Sequence, residues 1–439
     1  MQKAFWDKFE SFYFIGIGGT SMSALAKFLI ANGKTVAGSD AVDGVYTREL
    51  AGLGVRVEVG ESRSSIGDFD VIVYTDAIRG NDAQLVEARN LNKTVIARGQ
   101  LLYEISRAFK RTVAVSGCHG KTTCTAMLAH VLKRANEKFC MHVGGIDNAF
   151  SNFYIDGYGV FLTEACEYKK NFLLLKPDIA IILNSDADHL ECYGSVDALH
   201  DAYLTFARSA NVAITLFDEK YPCGITFGCN KNARFHAQNI VCKDGFYSFT
   251  ACDGTDALGR VSLSVYGKHN VLNALAAIAA ARTLGIPFSD IAEGINDFKG
   301  VERRFENIGK IHGARCVADY AHHPREIKSA LVTAKKLNKG KIFVVFQPHT
   351  YSRTKNLFKD FVKTLSCVNN LLVYKTFAAR EYFDDAGSAL TLSQKLKKSA
   401  YGDCPADIVD FLQSAKAGDT VLFLGAGDIY EVAKGLTER

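Results

Sequence analysis

One short run constrains this chain more than any other: Gly117-Cys118-His119-Gly120-Lys121-Thr122-Thr123, set between an apolar stretch, Thr112-Val113-Ala114-Val115, and a helical pattern from Ala126 to Leu132. Strand, glycine-rich loop and helix, in that order, is the setting of a phosphate-binding loop. The first glycine of the full eight-residue pattern falls on Val115, so this is a shortened form that begins at Gly117. Successive backbone N–H groups in such a loop and at the helix start form a concave anion site. Lys121 adds a point charge for terminal phosphates, and the Thr122 hydroxyl is placed to hold Mg²⁺. An α/β fold follows, with the helix packed on the sheet that carries the loop.

The chain has 439 residues, room for about three domains. Hydrophobic residues make up 48%, enough for a sizeable core. A net charge of +5 on this length is too small to argue for a nucleic-acid partner. No apolar run reaches the roughly 18 residues that a membrane span needs, so no membrane insertion is expected. Met1 to Phe9 lacks a secretory pattern, and twelve cysteines in that setting imply a reducing, cytoplasmic compartment. None forms a C-x-x-C pair, which argues against zinc.

Three alternating βα segments can be read. The first, residues 1–107, opens on Phe12-Tyr13-Phe14-Ile15 and continues through Gly16-Ile17-Gly18-Gly19-Thr20-Ser21-Met22-Ser23 into a helical run to Ala31. A strand from Thr35 then ends on Asp40, and Val55–Val57 and Val71–Tyr74 extend a small doubly wound, Rossmann-like unit. Ser21 stands where the dinucleotide fingerprint has its third glycine, so a nucleotide is expected here without NAD being established. Asp40 is placed to bond a ribose. The second segment, 108–300, holds the phosphate loop. Its strands Val160–Thr163 and Ile179–Leu183 end at Glu164 and at Asn184-Ser185-Asp186-Ala187-Asp188-His189. Ligands of open parallel sheets bind beyond the C-terminal strand ends, so Glu164 and His189 are delivered toward Lys121. A stretch near Gly245 to Gly259 reads as a hairpin insertion, and Tyr266 to Asn273 leads into an alanine-rich helix. The third segment, 301–439, has strand-like runs Cys316–Asp319, Ile342–Phe346, Leu371–Tyr374 and Val421–Leu424, with helical patterns between them. Gly425-Ala426-Gly427 reads as a tight strand-to-helix turn.

Across essentially the whole chain these motifs resemble the Mur ligases, ATP-dependent amide-forming enzymes of peptidoglycan precursor synthesis. The matching residues are Gly117 to Thr123, Glu164-Ala165-Cys166-Glu167, Asp188-His189-Leu190, His269-Asn270-x-x-Asn273 and Arg303-Arg304-Phe305. Asp319-Tyr320-Ala321-His322-His323-Pro324 and Phe346-Gln347-Pro348-His349-x-Tyr351-x-Arg353-Thr354 continue the match. The last two resemble the member that joins L-alanine to UDP-N-acetylmuramate. Three motifs depart from the family: Cys166 and Tyr168 stand where Asp and Ser are frequent, Asp186 where Glu is frequent, and Thr350 where many relatives carry Arg. The first leaves both glutamates in place, and the last bears on substrate contacts rather than on the reaction.

The resemblance implies a Rossmann-like N-terminal domain, a central P-loop ATPase-type domain with a parallel or mixed sheet, and a Rossmann-like C-terminal α/β domain. It implies that Gly16, Gly18, Gly19, Thr20, Ser21, Met22 and Asp40 bind the uridine diphosphate. ATP would be held by Gly117, Cys118, His119, Gly120, Lys121, Thr122 and Thr123, with His269, Asn270 and Asn273 at the adenine and ribose, and Arg304 and Asp319 at ATP or a domain interface. Thr122, Glu164 and His189 would hold Mg²⁺, although His189 also fits a role orienting substrate. Glu167 fits either a place behind the metal or a solvated surface. Tyr320, His349 and Arg353 would line the amino-acid end, with Arg353 clamping a carboxylate, and His322 and His323 read as packing residues. Lys121, Glu164, His189 and Arg353 form the expected catalytic set, in a monomer or weak homodimer. Later Mur ligases carry a carbamate-modified lysine, aligned here with Phe206, and no lysine lies between His189 and Arg208. Open alternatives are a murein tripeptide recycling ligase, an inactive nucleotide-sensing relative and, from Gly16-x-Gly18-Gly19 alone, an NAD-dependent oxidoreductase.

Overall fold

The computed structural model describes residues 4–60, 66–186, 190–217, 224–379 and 381–437. Three sheets organise them. The first holds β1 (Ser11–Ile15), β2 (Thr35–Asp40), β3 (Arg56–Val59), β4 (Val71–Tyr74) and β5 (Thr94–Ala97), in the order β3-β2-β1-β4-β5. Every neighbouring pair is parallel. Alternation along β1 explains its continuous apolar sequence. Phe12 and Phe14 enter one core cluster, while Tyr13 and Ile15 enter another with Ile66, Phe69 and Leu85 on the opposite face. Strand order reverses between β1 and β4, and the loop leaving β1 starts there at Gly16, with φ of 84°.

The second sheet runs from β6 (Arg111–Ser116), β7 (Phe139–Asp147), β8 (Ser151–Ile155), β9 (Val160–Glu164) and β10 (Ile179–Ile182) to β11 (Val212–Leu216), β12 (Ile225–Gly228), β13 (Phe235–Lys243), β14 (Phe246–Asp253) and β15 (Asp256–Tyr266). Its order is β15-β14-β13-β12-β11-β10-β6-β9-β7-β8. Thus β6, which carries the phosphate loop, lies between β10 and β9 and is parallel to both. The hairpin expected near Gly245 is present. Asp244 and Gly245, at φ 51° and 82°, turn β13 into β14, as an Asp-Gly pair does in a tight hairpin.

The third sheet holds β16 (Glu306–Ile311), β17 (Ala314–Asp319), β18 (Ile342–Phe346), β19 (Asn370–Tyr374), β20 (Ser399–Gly402) and β21 (Thr420–Leu424), in the order β16-β17-β21-β18-β19-β20. Only the edge strand β16 is antiparallel to its neighbour. Gly425 to Gly427 lie between β21 and the helix Ile429–Leu436. The buried Gln347 side chain fastens this turn, its Oε1 accepting from Ile429 N (3.1 Å) and its Nε2 donating to Asp428 (2.6 Å).

The chain forms two compact units. One is Met1–Ile240 with Ser248–Ser262 and Asn270–Lys299; the other is Val241–Tyr247 with Leu263–His269 and Gly300–Arg439. Within the first unit, a single apolar cluster joins Trp6, Phe12 and Phe28 of the N-terminal region to Phe161, Ile182 and Tyr203 of the middle region. Phe109 stands in its centre, 6.3 Å from the Phe28 ring and 5.0 Å from the Phe161 ring. Polar pins reinforce it. The Asn152 amide donates to Thr20 O (2.8 Å) and Ser23 Oγ (2.9 Å), and its oxygen accepts from the buried Lys27 ammonium (2.7 Å), which also reaches Glu49 (2.6 Å).

The helix that follows the phosphate loop, Lys121–Arg134, is seated by close backbone approach. A Cβ on Gly294, in the helix Phe288–Asp297, would come within 2.6 Å of Val131 Cα and 2.9 Å of Val131 N. Backbone cannot yield as a flexible side chain does, so only glycine fits. An Arg134–Glu293 ion pair flanks the contact. Gly294→Val is therefore expected to destabilise by about 1–3 kcal/mol, as overpacked positions do. Thermal denaturation checks this; unchanged melting would show that the helices separate without cost.

Candidate active site

The loop after β6 is shaped by two glycines in the left-handed region, Gly117 at φ 131° and Gly120 at φ 86°. Gly120 caps the helix Lys121–Arg134, so its first amides point into the loop. Neither glycine has room for a Cβ: at Gly120 it would lie 2.5 Å from Asn273 Oδ1, and at Gly117 3.1 Å from the Asn184 backbone. Asn184, at the end of β10, clamps the loop from the other side. Its Oδ1 accepts from His119 N (2.9 Å) and its Nδ2 donates to His119 O (2.8 Å). His119 Nε2 lies 3.2 Å from Asp186 Oδ2, and the Cys118 thiol donates to Asp186 O (2.7 Å). Thr122 and Thr123 are buried at the helix start.

Lys121 does not project into solvent. Its ammonium donates to Gly117 O (2.6 Å) and to both Glu167 oxygens (3.0 and 2.9 Å). Glu167 is 1% exposed. Burial opposes the lysine charge, but the Glu167 carboxylate overrides it and holds the ammonium well above its ordinary range. Tyr193 Oη donates to Glu167 O (2.5 Å), fixing the segment that carries the acid. Sequence alone left Glu167 between a place behind a metal and a solvated surface; the structure makes it the counter-ion of the loop lysine.

Glu164 ends β9, whose pairing with β6 sets it opposite Val115, two residues before the loop. Its Oε1 accepts from Gly144 N (2.8 Å). A Cβ on Gly144 would come within 3.0 Å of Oε2, so glycine keeps this flank of the carboxylate open. Thr122 and Glu164 offer hard oxygen donors, the set that suits Mg²⁺. His189, the third expected ligand, lies outside the described residues. Among the described residues, the group of three potential ligands close enough to share a cation is Asp403, Cys404 and Asp407. There Asp407 accepts from the Asp403 and Cys404 amides (2.9 and 3.0 Å) at the start of the helix Pro405–Leu412, which is capping.

Asn270 and Asn273 lie on one face of the helix His269–Thr283, joined by a 2.9 Å bond from Asn273 Nδ2 to Asn270 Oδ1, with Asn273 against Gly120. His269 falls in the second unit, its Nδ1 3.1 Å from Ser329 Oγ. In the first sheet, Gly16, Gly18 and Gly19 lead into the helix Thr20–Ala31, with Met22 buried at its start. Asp40 braces this loop: its Oδ2 accepts from Gly18 N (2.8 Å) and its Oδ1 from Val42 N (3.2 Å). Phe206, where later family members have lysine, is fully buried with its ring 5.0 Å from Phe172.

The second unit gathers the remaining expected residues at the C-terminal ends of β17 and β18. Asp319 ends β17, and its carboxylate accepts from Phe305 N (2.9 Å) and Ala321 N (2.8 Å). Burial pushes it up to about 6, against the pull of the Arg304 charge. Both oxygens thus shape the turns carrying Arg304 and Tyr320, and Arg304 lies over the Tyr320 ring at 5.1 Å. His322 Nδ1 donates to Tyr320 O (2.9 Å), and His323 caps the helix Pro324–Leu337, so these two pack within the unit. His349 stacks on Phe377 at 5.5 Å. Burial first, then the nearby His322 and Arg353, lowers its pKa to about 3, leaving a neutral ring. Arg353 Nη1 donates to His349 O (3.0 Å) and meets His349 Nδ1 at 3.2 Å. A guanidinium has no lone pair, so Nδ1 accepts and the ring proton sits on Nε2.

Comparison with known proteins agrees with this layout. Three family models match in succession: the Mur ligase family catalytic domain over residues 11–110, the Mur ligase middle domain over 115–281 and the Mur ligase glutamate ligase domain over 303–427. The chain is 39% identical to the UDP-N-acetylmuramate–L-alanine ligase of Clostridium novyi, covering 98% of each protein. Among solved structures it is similar to the UDP-N-acetylmuramate-alanine ligase of Thermotoga maritima, with a TM-score of 0.84 at 30% identity over 97% of this chain and 98% of that one. The murein peptide ligase of Psychrobacter arcticus shares the fold, with a TM-score of 0.76 at 23% identity over 97% of this chain and 98% of that one. Three sheets in the expected order, a phosphate loop at the end of the strand between β9 and β10, and likeness along the full length lead to one conclusion: the chain belongs to the Mur ligase family.

Proposed function

We infer that this chain joins L-alanine to the lactyl carboxylate of UDP-N-acetylmuramate, with ATP cleaved to ADP and phosphate, in peptidoglycan precursor synthesis. The observation that carries this reading is full-length likeness to alanine-adding ligases combined with the half-buried, carboxylate-paired Lys121 of the phosphate loop. A carboxylate is a poor acyl donor, because oxide would have to leave. Transfer of the γ-phosphoryl group onto it gives an acyl phosphate; the alanine amine then attacks the carbonyl carbon, and phosphate departs. Such transfer needs alignment and charge neutralisation more than covalent help.

In this reading Lys121 exchanges the Glu167 carboxylate for the β- and γ-phosphates, and the amides of Gly117 to Thr123 hold the remaining oxygens. Thr122 and Glu164, with His189, would hold Mg²⁺, which when bound neutralises phosphate charge. Asn270, Asn273 and His269 keep the nucleoside role that the resemblance implies. Arg304 and Asp319 keep theirs, at ATP or a domain interface, with Asp319 fixing the turn that carries Arg304. Gly16, Gly18, Gly19, Thr20, Ser21 and Met22 receive the uridine diphosphate, in a loop braced by Asp40. Tyr320, His349 and Arg353 receive L-alanine. The domains are 1–107 for the sugar nucleotide, 108–300 for ATP and 301–439 for the amino acid. No described helix is long and apolar enough to cross a membrane, and eleven free cysteines among the described residues support a cytoplasmic enzyme, acting as a monomer or weak homodimer. Incubation with ATP, Mg²⁺, UDP-N-acetylmuramate and either L-alanine or the murein tripeptide, with products identified by mass, tests the reading. Ligation of the tripeptide alone would replace it with the recycling activity.

The Lys121–Glu167 pair separates catalytic from structural loss. Lys121→Ala removes ligation, and it also strands a buried carboxylate, at a cost of about 3–5 kcal/mol. Adding Glu167→Gln removes that charge, so the double variant recovers much of the melting temperature while turnover stays absent. Recovery of turnover would exclude Lys121 from the phosphate site.

Arg353→Lys retains charge but not the planar fork that matches a carboxylate. The KM for L-alanine is expected to rise about tenfold, a loss of roughly 1.4 kcal/mol, with the KM for ATP unchanged. Loss of ATP affinity with normal alanine saturation would move Arg353 to the nucleotide.

A further inference from the structure

A partly buried line of polar side chains runs through the first unit from the helix start after the glycine loop of the first sheet to the end of β9. Arg98 Nη1 donates to Ser21 Oγ (3.2 Å), and Ser21 Oγ lies 2.7 Å from His142 Nε2. His142 Nδ1 lies 2.8 Å from Thr163 Oγ1, which donates to Glu164 O (3.0 Å). His142 is 4% exposed and Thr163 fully buried. Asp76 stands 3.7 Å from Arg98 at the outer end.

Proton counting gives the line one direction. With the Thr163 hydroxyl donating to the Glu164 carbonyl, Thr163 Oγ1 accepts from His142. Burial, then the Arg98 charge, lowers the His142 pKa to about 3, so the ring is neutral and carries one N–H. That proton is on Nδ1. Nε2 then accepts from the Ser21 hydroxyl, whose oxygen accepts from Arg98. Each step fixes the next, and the imidazole is the one member that passes an orientation between the two sheets. Nothing in the expected site assigns a role to His142.

We propose that His142 is a positioning residue for ligation, tying the Ser21 end of the sugar-nucleotide loop to the backbone of Glu164 through this one-way run of hydrogen bonds. The proposal rests on the ligase reading, because it gives Ser21 to the sugar nucleotide and Glu164 to the phosphate side. Orientation of the Ser21 hydroxyl and placement of the Glu164 carboxylate then depend on the same ring.

The test uses the full chain. Nitrogen-15 NMR of the ligand-free protein is expected to show the His142 ring protonated at Nδ1 and bare at Nε2; the opposite tautomer overturns the proposal, whatever any variant does. His142→Leu is expected to raise both the KM for UDP-N-acetylmuramate and the Mg²⁺ concentration for half-maximal rate about tenfold, the size of one lost buried hydrogen bond, with the KM for L-alanine unchanged. Ser21→Ala added to His142→Leu is expected to raise the sugar-nucleotide KM no further than the worse single change. Fully additive effects, or a folded His142→Leu variant with unaltered constants, overturn the proposal. A wild-type chain that forms no alanyl product defeats the ligase reading instead, and the tautomer still decides whether the line runs as described.

Discussion

The phosphate loop depends on one charge pair, Lys121 with Glu167. An ammonium buried against backbone is costly unless an anion and good acceptors surround it, and here two carboxylate oxygens and the Gly117 carbonyl do so. The loop wraps around that point: Gly117 and Gly120 take left-handed backbone, while Asn184 grips both polar groups of His119. In the ligase reading, nucleotide binding is an exchange of anions on a cation that is already partly desolvated and aimed. Little lysine reorganisation remains when phosphate arrives, which is the condition for effective electrostatic catalysis.

The histidines share a second principle. Burial strips the charge from His142 and His349, each lowered to about 3. A neutral imidazole is a directional connector with one donor and one acceptor. The guanidinium partner of His349 settles which of its nitrogens holds the proton, and for His142 the Thr163 hydroxyl does so. Such a ring fixes the orientation of its neighbours, as His142 does for Ser21 and Thr163.

Much of this architecture is legible in the sequence, and the reason lies in two-sided burial. Phe12–Ile15, Thr112–Val115, Ile179–Leu183 and Ile342–Phe346 are strands whose both faces are covered, so their apolar runs are unbroken. Among the strands the sequence does not announce, β5, β8, β16 and β20 are short or partly exposed, while the long, buried β7 has a His and two Gly in its run. The glycine loop is legible because its geometry demands specific residues at fixed spacing. Glu167 is not: its burial depends on a lysine far upstream, and no local pattern separates it from a surface acid. His142 is hidden for the same reason, since a histidine within a strand says nothing of Ser21 on another sheet. His269 and Asn273 read as one cluster in sequence, yet their helix starts in one compact unit and continues in the other.

The aromatic cluster around Phe109 has a thermodynamic consequence. Trp6, Phe28 and Phe161 belong to one continuous core, and Asn152 and Lys27 pin the first helix to β8. Unfolding the N-terminal sheet alone would expose apolar surface of the middle sheet and strand a buried ammonium, so the two sheets melt as one cooperative block. A ligand bound to either sheet then shields both by mass action; in the ligase reading, a sugar nucleotide on the first sheet protects the phosphate loop from heat and proteolysis.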